Sequence, residues 1–382
     1  MRRFNLRTAA LAAAAAGLVV AGAGCAADNG GSGGDAWCGK KIGFFGALSG
    51  PNAAIVLPSR DGAKLALKQY NTANPDCKLE MVEFDSVGDG AQATTFANTV
   101  VADADFLGVI GGAFSGESEA TMQTYQSGGV TMISPSATRL DLTSKGFGVF
   151  HRVVGHDGTQ SAAIAKYLSD NGAKKVFVID DGSAYGAGLT AELIKKLGSI
   201  PYEQDKVQEQ QTQFDATVAK VTAAAPDFIF YGGYPREAAP LVRQLVQAGV
   251  TAQLLGANGL YDPALAANTE GAAEGAIITC PCLPAAEAKG TFAADFKAEY
   301  GDDAGSYGAE GYDAMKVFID VISGGAATRD AVLAGVNAYD KDGASKHIKF
   351  DAQGDVDPSV VVIWSYKVEG DGLVPVAPLS VQ

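Results

Sequence analysis

Short apolar runs alternate with helically periodic segments along this chain, in two successive series, and that rhythm restricts the fold more than any other feature. Lys40–Phe45 precedes the amphipathic stretch Arg60–Asn71, whose apolar face carries Ala63, Leu65, Ala66, Leu67 and Tyr70. Leu79–Phe84 leads to Gln92–Ala102, Phe106–Ile110 leads to Glu117–Gln126, and Val130–Ser134 closes the first series. The second starts near His156: helical Gln160–Ser169, strand Lys175–Ile179, helical Gly188–Leu197, then Phe214–Ala223, Phe228–Tyr231, Glu237–Gln247 and Gln253–Leu255. Brief apolar runs interleaved with periodic helices predict parallel sheets flanked by helices. Two series predict an α/β chain of two doubly wound lobes. In the tail, Phe292–Tyr300, Tyr312–Ile322 and Arg329–Ala338 read as helices, and His347–Phe350 and Val360–Val368 as strands. Such a tail more easily completes existing lobes than builds a third.

The N-terminus sets the compartment. Arg2, Arg3 and Arg7 precede an apolar run from Ala9 to Gly24, and small residues lead directly into Cys25. A basic head, an apolar middle and small residues before a cleavage point describe a secretory signal over residues 1–24. The Cys after the small residues resembles a bacterial lipobox, which makes Cys25 the expected lipidation site. The run is too rich in Ala and Gly, and too short of about 20 strongly apolar residues, to suit a transmembrane anchor. Residues 25–37, polar and rich in Gly, read as a flexible linker. The expected location is the outer face of the cell membrane, with lipid as the only membrane contact.

The charge balance, 43 acidic against 29 basic residues, becomes more acidic still once the signal's Arg residues are removed. Such a surface repels nucleic acid and anionic lipid head groups, so neither is an expected partner. Four Cys remain beside Cys25. Cys38 and Cys77 each precede a predicted strand; if those strands are neighbours in a parallel sheet, the two can bridge, and an oxidising exterior permits the bond. Cys280-Pro281-Cys282 fits a tight local disulfide, two free thiols or a metal pair. Zinc wants more ligands, and His151, His156 and His347 lack ligand spacing, so no metal or other cofactor is expected.

Binding motifs fall after predicted strands. Gly46-Ala47-Leu48-Ser49-Gly50 and Gly112-Ala113-Phe114-Ser115-Gly116 are near copies, each where doubly wound sheets put ligand-binding turns. Ser115 reads as a helix N-cap, with free N–H groups beyond it that suit an anion. Ser134-Pro135-Ser136-Ala137-Thr138 supplies hydroxyls and free backbone groups at the same edge. In the second series, Tyr185 and Tyr234 follow strands and read as aromatic walls. Gly186-Ala187-Gly188-Leu189-Thr190-Ala191 spells G-x-G-x-x-A, but several residues beyond its strand, which does not suit a pyrophosphate turn. No G-x-S-x-G stands at a predicted strand-to-helix turn, and no H-E-x-x-H or Walker loop is present, so no enzyme activity is expected.

Taken in order, Lys41-Ile42-Gly43 through Ser49-Gly50-Pro51, Asp61-Gly62-Ala63, Gly111–Ser115, Ser134–Thr138, Tyr185-Gly186, Tyr231–Tyr234, Glu310–Ala314 and Phe350-Asp351 through Gly354 resemble the type I periplasmic solute-binding proteins of leucine/isoleucine/valine (branched-chain amino acid) ABC importers. The resemblance implies two Rossmann-like lobes joined by three crossovers, residues 38–155 plus 283–348 and residues 156–282 plus 349–382. It implies a small amino acid, branched-chain or aliphatic, bound between the lobes and delivered to membrane permease subunits. Ser115 and Thr138 would hold the ligand carboxylate, with Ser136 and Ala137 beside them and the Ser136 carbonyl accepting from the ammonium. Tyr185 and Tyr234 would close over the ligand, and Tyr307 would add aromatic surface. Leucine-type members carry a Glu that neutralises the ammonium; here Asn258 stands at that position, offering an acceptor without charge. Glu117, Glu310 or Asp181 would then supply the anion. An extracellular sensor for small amides or carboxylates, and a secreted hydrolase, are the competing readings.

Overall fold

The structure, a computed structural model, describes residues 36–380; the signal and Cys25 lie outside the described residues. The first half runs β1 (Lys41–Gly46), α1 (Ala53–Ala73), β2 (Glu80–Asp85), α2 (Gly90–Ala102), β3 (Phe106–Ile110), α3 (Ser115–Gly128), β4 (Thr131–Ser134) and β5 (Phe150–Arg152). Then come α4 (Asp157–Asp170), β6 (Val176–Asp180), α5 (Ala184–Lys196), β7 (Tyr202–Lys206), α6 (Asp215–Ala224), β8 (Phe228–Gly232), α7 (Pro235–Gln247), β9 (Gln253–Gly256), α8 (Pro263–Asn268) and β10 (Ile277–Cys280). The remainder is α9 (Phe292–Tyr300), α10 (Gly308–Ser323), α11 (Arg329–Asn337), the hairpin β11 (Asp340–Asp342) and β12 (His347–Lys349), then β13 (Ile363–Glu369) and β14 (Gly372–Leu379).

These strands form two large sheets, ordered β2-β1-β3-β4-β5 and β14-β13-β10-β9-β8-β6-β7. All pairs in the first are parallel. In the second, β13 and β14 add antiparallel strands at one edge. Central strands such as β3 and β8 are buried throughout, because helices cover both faces of a parallel sheet. Edge strand β7, Tyr-Glu-Gln-Asp-Lys, is mostly exposed, so it carries no apolar run by which sequence could announce it.

The chain passes between the sheets after β5, after β10 and after β12. Helix α10 packs on α1 so closely that a Cβ on Gly311 would lie 1.9 Å from the Ser59 carbonyl oxygen, and one on Gly62 2.0 Å from that of Gly308. Helix α1 begins at Ala53 and takes in Pro58, where the sequence pattern placed its start at Arg60. A proline near the N-terminal end forfeits one hydrogen bond, and burial of Ile55 and Val56 offsets that loss. Disulfides join Cys38 to Cys77 and Cys280 to Cys282. The second lies where β10 leaves its sheet, both residues buried. Among the described residues no helix is long and apolar enough to cross a membrane.

Candidate functional site

In each sheet the strand order reverses direction at one point, and there the loops at the carboxyl ends of the strands part to leave a crevice. In the first sheet that point lies between β1 and β3, in the second between β6 and β8. The loops after β3 and β4 bring Ala113, Phe114, Ser115 and Ser136 to a small cavity. The loops after β6, β8 and β9 bring Tyr185, Tyr234, Asn258 and Gly259, while Ile55 and Tyr307 complete the lining. Of the two near-copied turns, only the second reaches the cavity. In the first, Asp85 ties the turn down by accepting from the Leu48 and Ser49 amides at 2.9 and 3.3 Å.

The cleft is closed. Phe114 from one side meets Tyr234 from the other edge-on, ring centroids 5.0 Å apart, and Tyr234 packs against Tyr185 at 5.4 Å. About 10 Å³ remains between them for the centre of a water molecule, room for roughly one water. The depression outside this wall, about 470 Å³, shares Phe114, Tyr185 and Tyr234 and forms the cleft mouth. A larger groove of about 770 Å³ runs along α7 and α8, where Arg236 and Gln247 are exposed and solvated, so it is not the site of buried polar recognition.

Helix α3 starts one residue earlier in its cap than the sequence suggested. Phe114 occupies the N-cap and Ser115 the first helical turn, because Glu117 reaches back to accept from the Phe114 amide at 3.0 Å. Ser115 Oγ accepts from the Arg139 amide at 3.3 Å, leaving its own proton free beside the helix's unbonded N–H groups. Ser136 donates to the Ala113 carbonyl at 2.7 Å and so braces the two loops against each other. Ala137 is buried, its amide on Ser134 Oγ at 2.9 Å. Thr138 is fully buried, does not line the cavity, and its Oγ1 has no hydrogen-bond partner.

The charged candidates divide by what already occupies them. Glu117 spends its oxygens on Phe114 and on the Ser86 hydroxyl, and burial raises its carboxyl to about 7. Asp181 accepts from Ser183 and from the Tyr234 amide, which sets the position of that ring; burial raises it to about 6. Glu310 accepts from the Leu283 amide at 3.1 Å and the Lys346 ammonium at 3.0 Å, and Lys346 also donates to the Val153 carbonyl. That network fastens the crossovers to one another. None of the three carboxyls lines the cavity.

The sequence reading missed Asp157. Its amide donates to the Thr138 carbonyl at 2.7 Å, and its carboxyl lies beside the Thr138 hydroxyl without a well-formed bond. It is fully buried and, like those three carboxyls, stands behind the cavity lining, but neither of its oxygens has a partner, and burial raises it to about 7. Its field reaches Tyr185, Tyr234 and Tyr307. In sequence it is an ordinary acid in a helix's first turn; only the fold sets it against Thr138. Gly259 was also missed: a Cβ there would lie 2.4 Å from the Gly233 carbonyl oxygen and 2.6 Å from the Tyr185 ring.

Two doubly wound lobes whose switch-point loops face each other across a closed cleft have the type I periplasmic binding protein fold. Residues 40–359 match the family model for periplasmic binding proteins, and the chain belongs to that family. It is 30% identical over 324 residues to the leucine-, isoleucine-, valine-, threonine- and alanine-binding protein of Pseudomonas aeruginosa, covering 83% of this chain and 87% of that one. A solved leucine-binding protein from Thermotoga maritima matches with a TM-score of 0.82 at 25% identity, over 89% of this chain and 99% of that one. The branched-chain amino acid transporter substrate-binding protein of Streptococcus pneumoniae, solved with isoleucine, has the same fold, with a TM-score of 0.80 at 24% identity over 88% and 99%.

Proposed function

We propose that this chain is the lipid-anchored extracellular solute-binding component of an ABC importer and takes a small amino acid in its cleft. In this reading it performs no chemistry of its own; ATP is hydrolysed by separate subunits on the other side of the membrane. The lobes, residues 38–155 plus 283–348 and 156–282 plus 349–382, open and close about the three crossovers.

The observation that carries the reading is Asp157. A buried carboxyl with both oxygens unbonded is costly unless a partner arrives. A ligand ammonium supplies the charge and the donors together, so Asp157 takes the role that Asn258 cannot. At the neighbouring pole, Ser115 and the first amides of α3, which have no partner within the helix, suit a carboxylate, with Thr138 and Ser136 beside them. Tyr185, Tyr234 and Tyr307 exclude water around the ligand. The names of the relatives point to the same ligand class.

A hydrogen bond to a charged group contributes ~1.5–3 kcal/mol, so Ser115→Ala should weaken L-isoleucine binding by roughly ten- to a hundredfold in calorimetry. An effect below threefold removes Ser115 from the carboxylate site. For the anchor, Cys25→Ala should release the protein from membranes into the medium, since stable attachment by lipid rests on that residue. Undiminished membrane retention in fractionated cells contradicts lipidation at Cys25.

A further inference from the structure

We infer that Asn258 and Tyr307 form a donor pair that selects ligands with an oxygen on the side chain, so that this cleft prefers small hydroxyl- or amide-bearing amino acids to their aliphatic isosteres. The inference rests on the amino-acid reading above and concerns the part of the ligand that neither pole accounts for.

The direction of the hydrogen bonds decides it. The Gly259 amide donates to the Tyr185 phenol oxygen at 3.0 Å, so the phenol proton points elsewhere, to Asn258 Oδ1 at 2.8 Å. Asn258 is therefore not the acceptor that its place in the sequence suggested. Its oxygen is consumed by Tyr185, and its amide nitrogen, an obligate donor with two hydrogens, faces the Tyr307 phenol oxygen with one of them and keeps the other for a ligand. Gly259 fixes this arrangement, because any larger residue there would strike the Tyr185 ring.

The second donor stands beside the first. Tyr307 is 1% exposed, lines the cavity, and its hydroxyl has no hydrogen-bond partner. It lies next to the Asn258 amide outside ordinary hydrogen-bond geometry. Its backbone is left-handed, with φ of 59°, a conformation that strains a non-glycine residue. That conformation directs the ring into the cavity at the head of α10. An aliphatic ligand would leave both donors desolvated and unmatched. A site built to hydrogen-bond an oxygen discriminates strongly against the isostere lacking it, whereas an apolar pocket hardly rejects an added hydroxyl. The ligand's carboxylate belongs to Ser115 and its ammonium to Asp157, so the neutral donors face its side chain. The closed cavity is small, which favours short side chains.

L-Threonine and L-valine have the same shape and differ by one hydroxyl, so calorimetric titration of the intact protein with each reads the donors directly. Threonine should bind at least about tenfold more tightly than valine, the equivalent of one hydrogen bond. Asn258→Leu and, separately, Tyr307→Phe should each reduce that ratio several-fold, mainly by weakening threonine. Valine binding as tightly as threonine to the wild type overturns this inference and leaves the amino-acid reading standing. Binding of neither, nor of any other amino acid, overturns both. A preference for threonine that persists undiminished in both variants removes these two residues from the role.

Discussion

Asp157→Asn should abolish most ligand binding while making the ligand-free protein more stable. Removing one member of a buried charge pair typically costs 2–5 kcal/mol, so the affinity for L-isoleucine should fall by at least about 30-fold. The stability change has the opposite sign because the wild-type carboxyl is buried with no partner and its charge is uncompensated until ligand arrives. The pH dependence follows from the same group. Folded Asp157 keeps its proton up to about 7, whereas an unperturbed Asp loses it near 3.8. Between those values the folded state binds more protons than the unfolded state, so stability is highest at the acidic end and falls as pH rises towards 7. Glu117, also raised to about 7, adds to the same trend. The melting temperature of ligand-free protein should therefore decline from about pH 5 to pH 7.5, and Asp157→Asn should flatten part of that slope. A variant that melts lower at neutral pH and binds normally would make Asp157 a structural cap.

Arg152→Leu should be the most destabilising single change near the cleft. Arg152 is fully buried; it pairs with Asp355 and donates to the carbonyls of Ala137, Arg139 and Leu140 and to Thr143 Oγ1. Its guanidinium thus ties the loop that carries Thr138 to the third crossover. Breaking a buried pair by removing one partner costs about 3–5 kcal/mol, because the remaining charge and carbonyls are left unmatched. The melt should shift down by roughly 2–4 °C for each kcal/mol lost. Ligand affinity should fall as well, since the 134–138 loop loses its fixed position. Arg152→Lys restores the charge without the planar fork and should recover only part of the loss. A change of less than about 1 kcal/mol on denaturant unfolding would show that the loop is held by other contacts.

What could be read from the chain follows from where physics writes its signal. Strands β1, β3, β6 and β8 are buried apolar runs and stand out in sequence, as does their alternation with helices. Strand β7 and the start of α1 did not, since one is an exposed polar edge and the other takes in a proline. Ser115, Ser136, Tyr185, Tyr234, Asn258 and Tyr307 meet at one cavity because each except Tyr307 follows a strand of a doubly wound sheet, a placement that the alternation already implies. Asp157 was invisible because nothing local distinguishes it from any acid in a first helical turn. The donor character of Asn258 was equally hidden, because it depends on a phenol 73 positions away in sequence.

The most direct test of the central claim is calorimetric titration of the purified protein with L-isoleucine and with L-isoleucinamide at pH 7. One ligand should bind per chain, and the carboxamide should bind at least about tenfold more weakly, because it loses the charge that Ser115 and the start of α3 read. Equal affinity for acid and carboxamide, or no binding of any amino acid, would contradict the account.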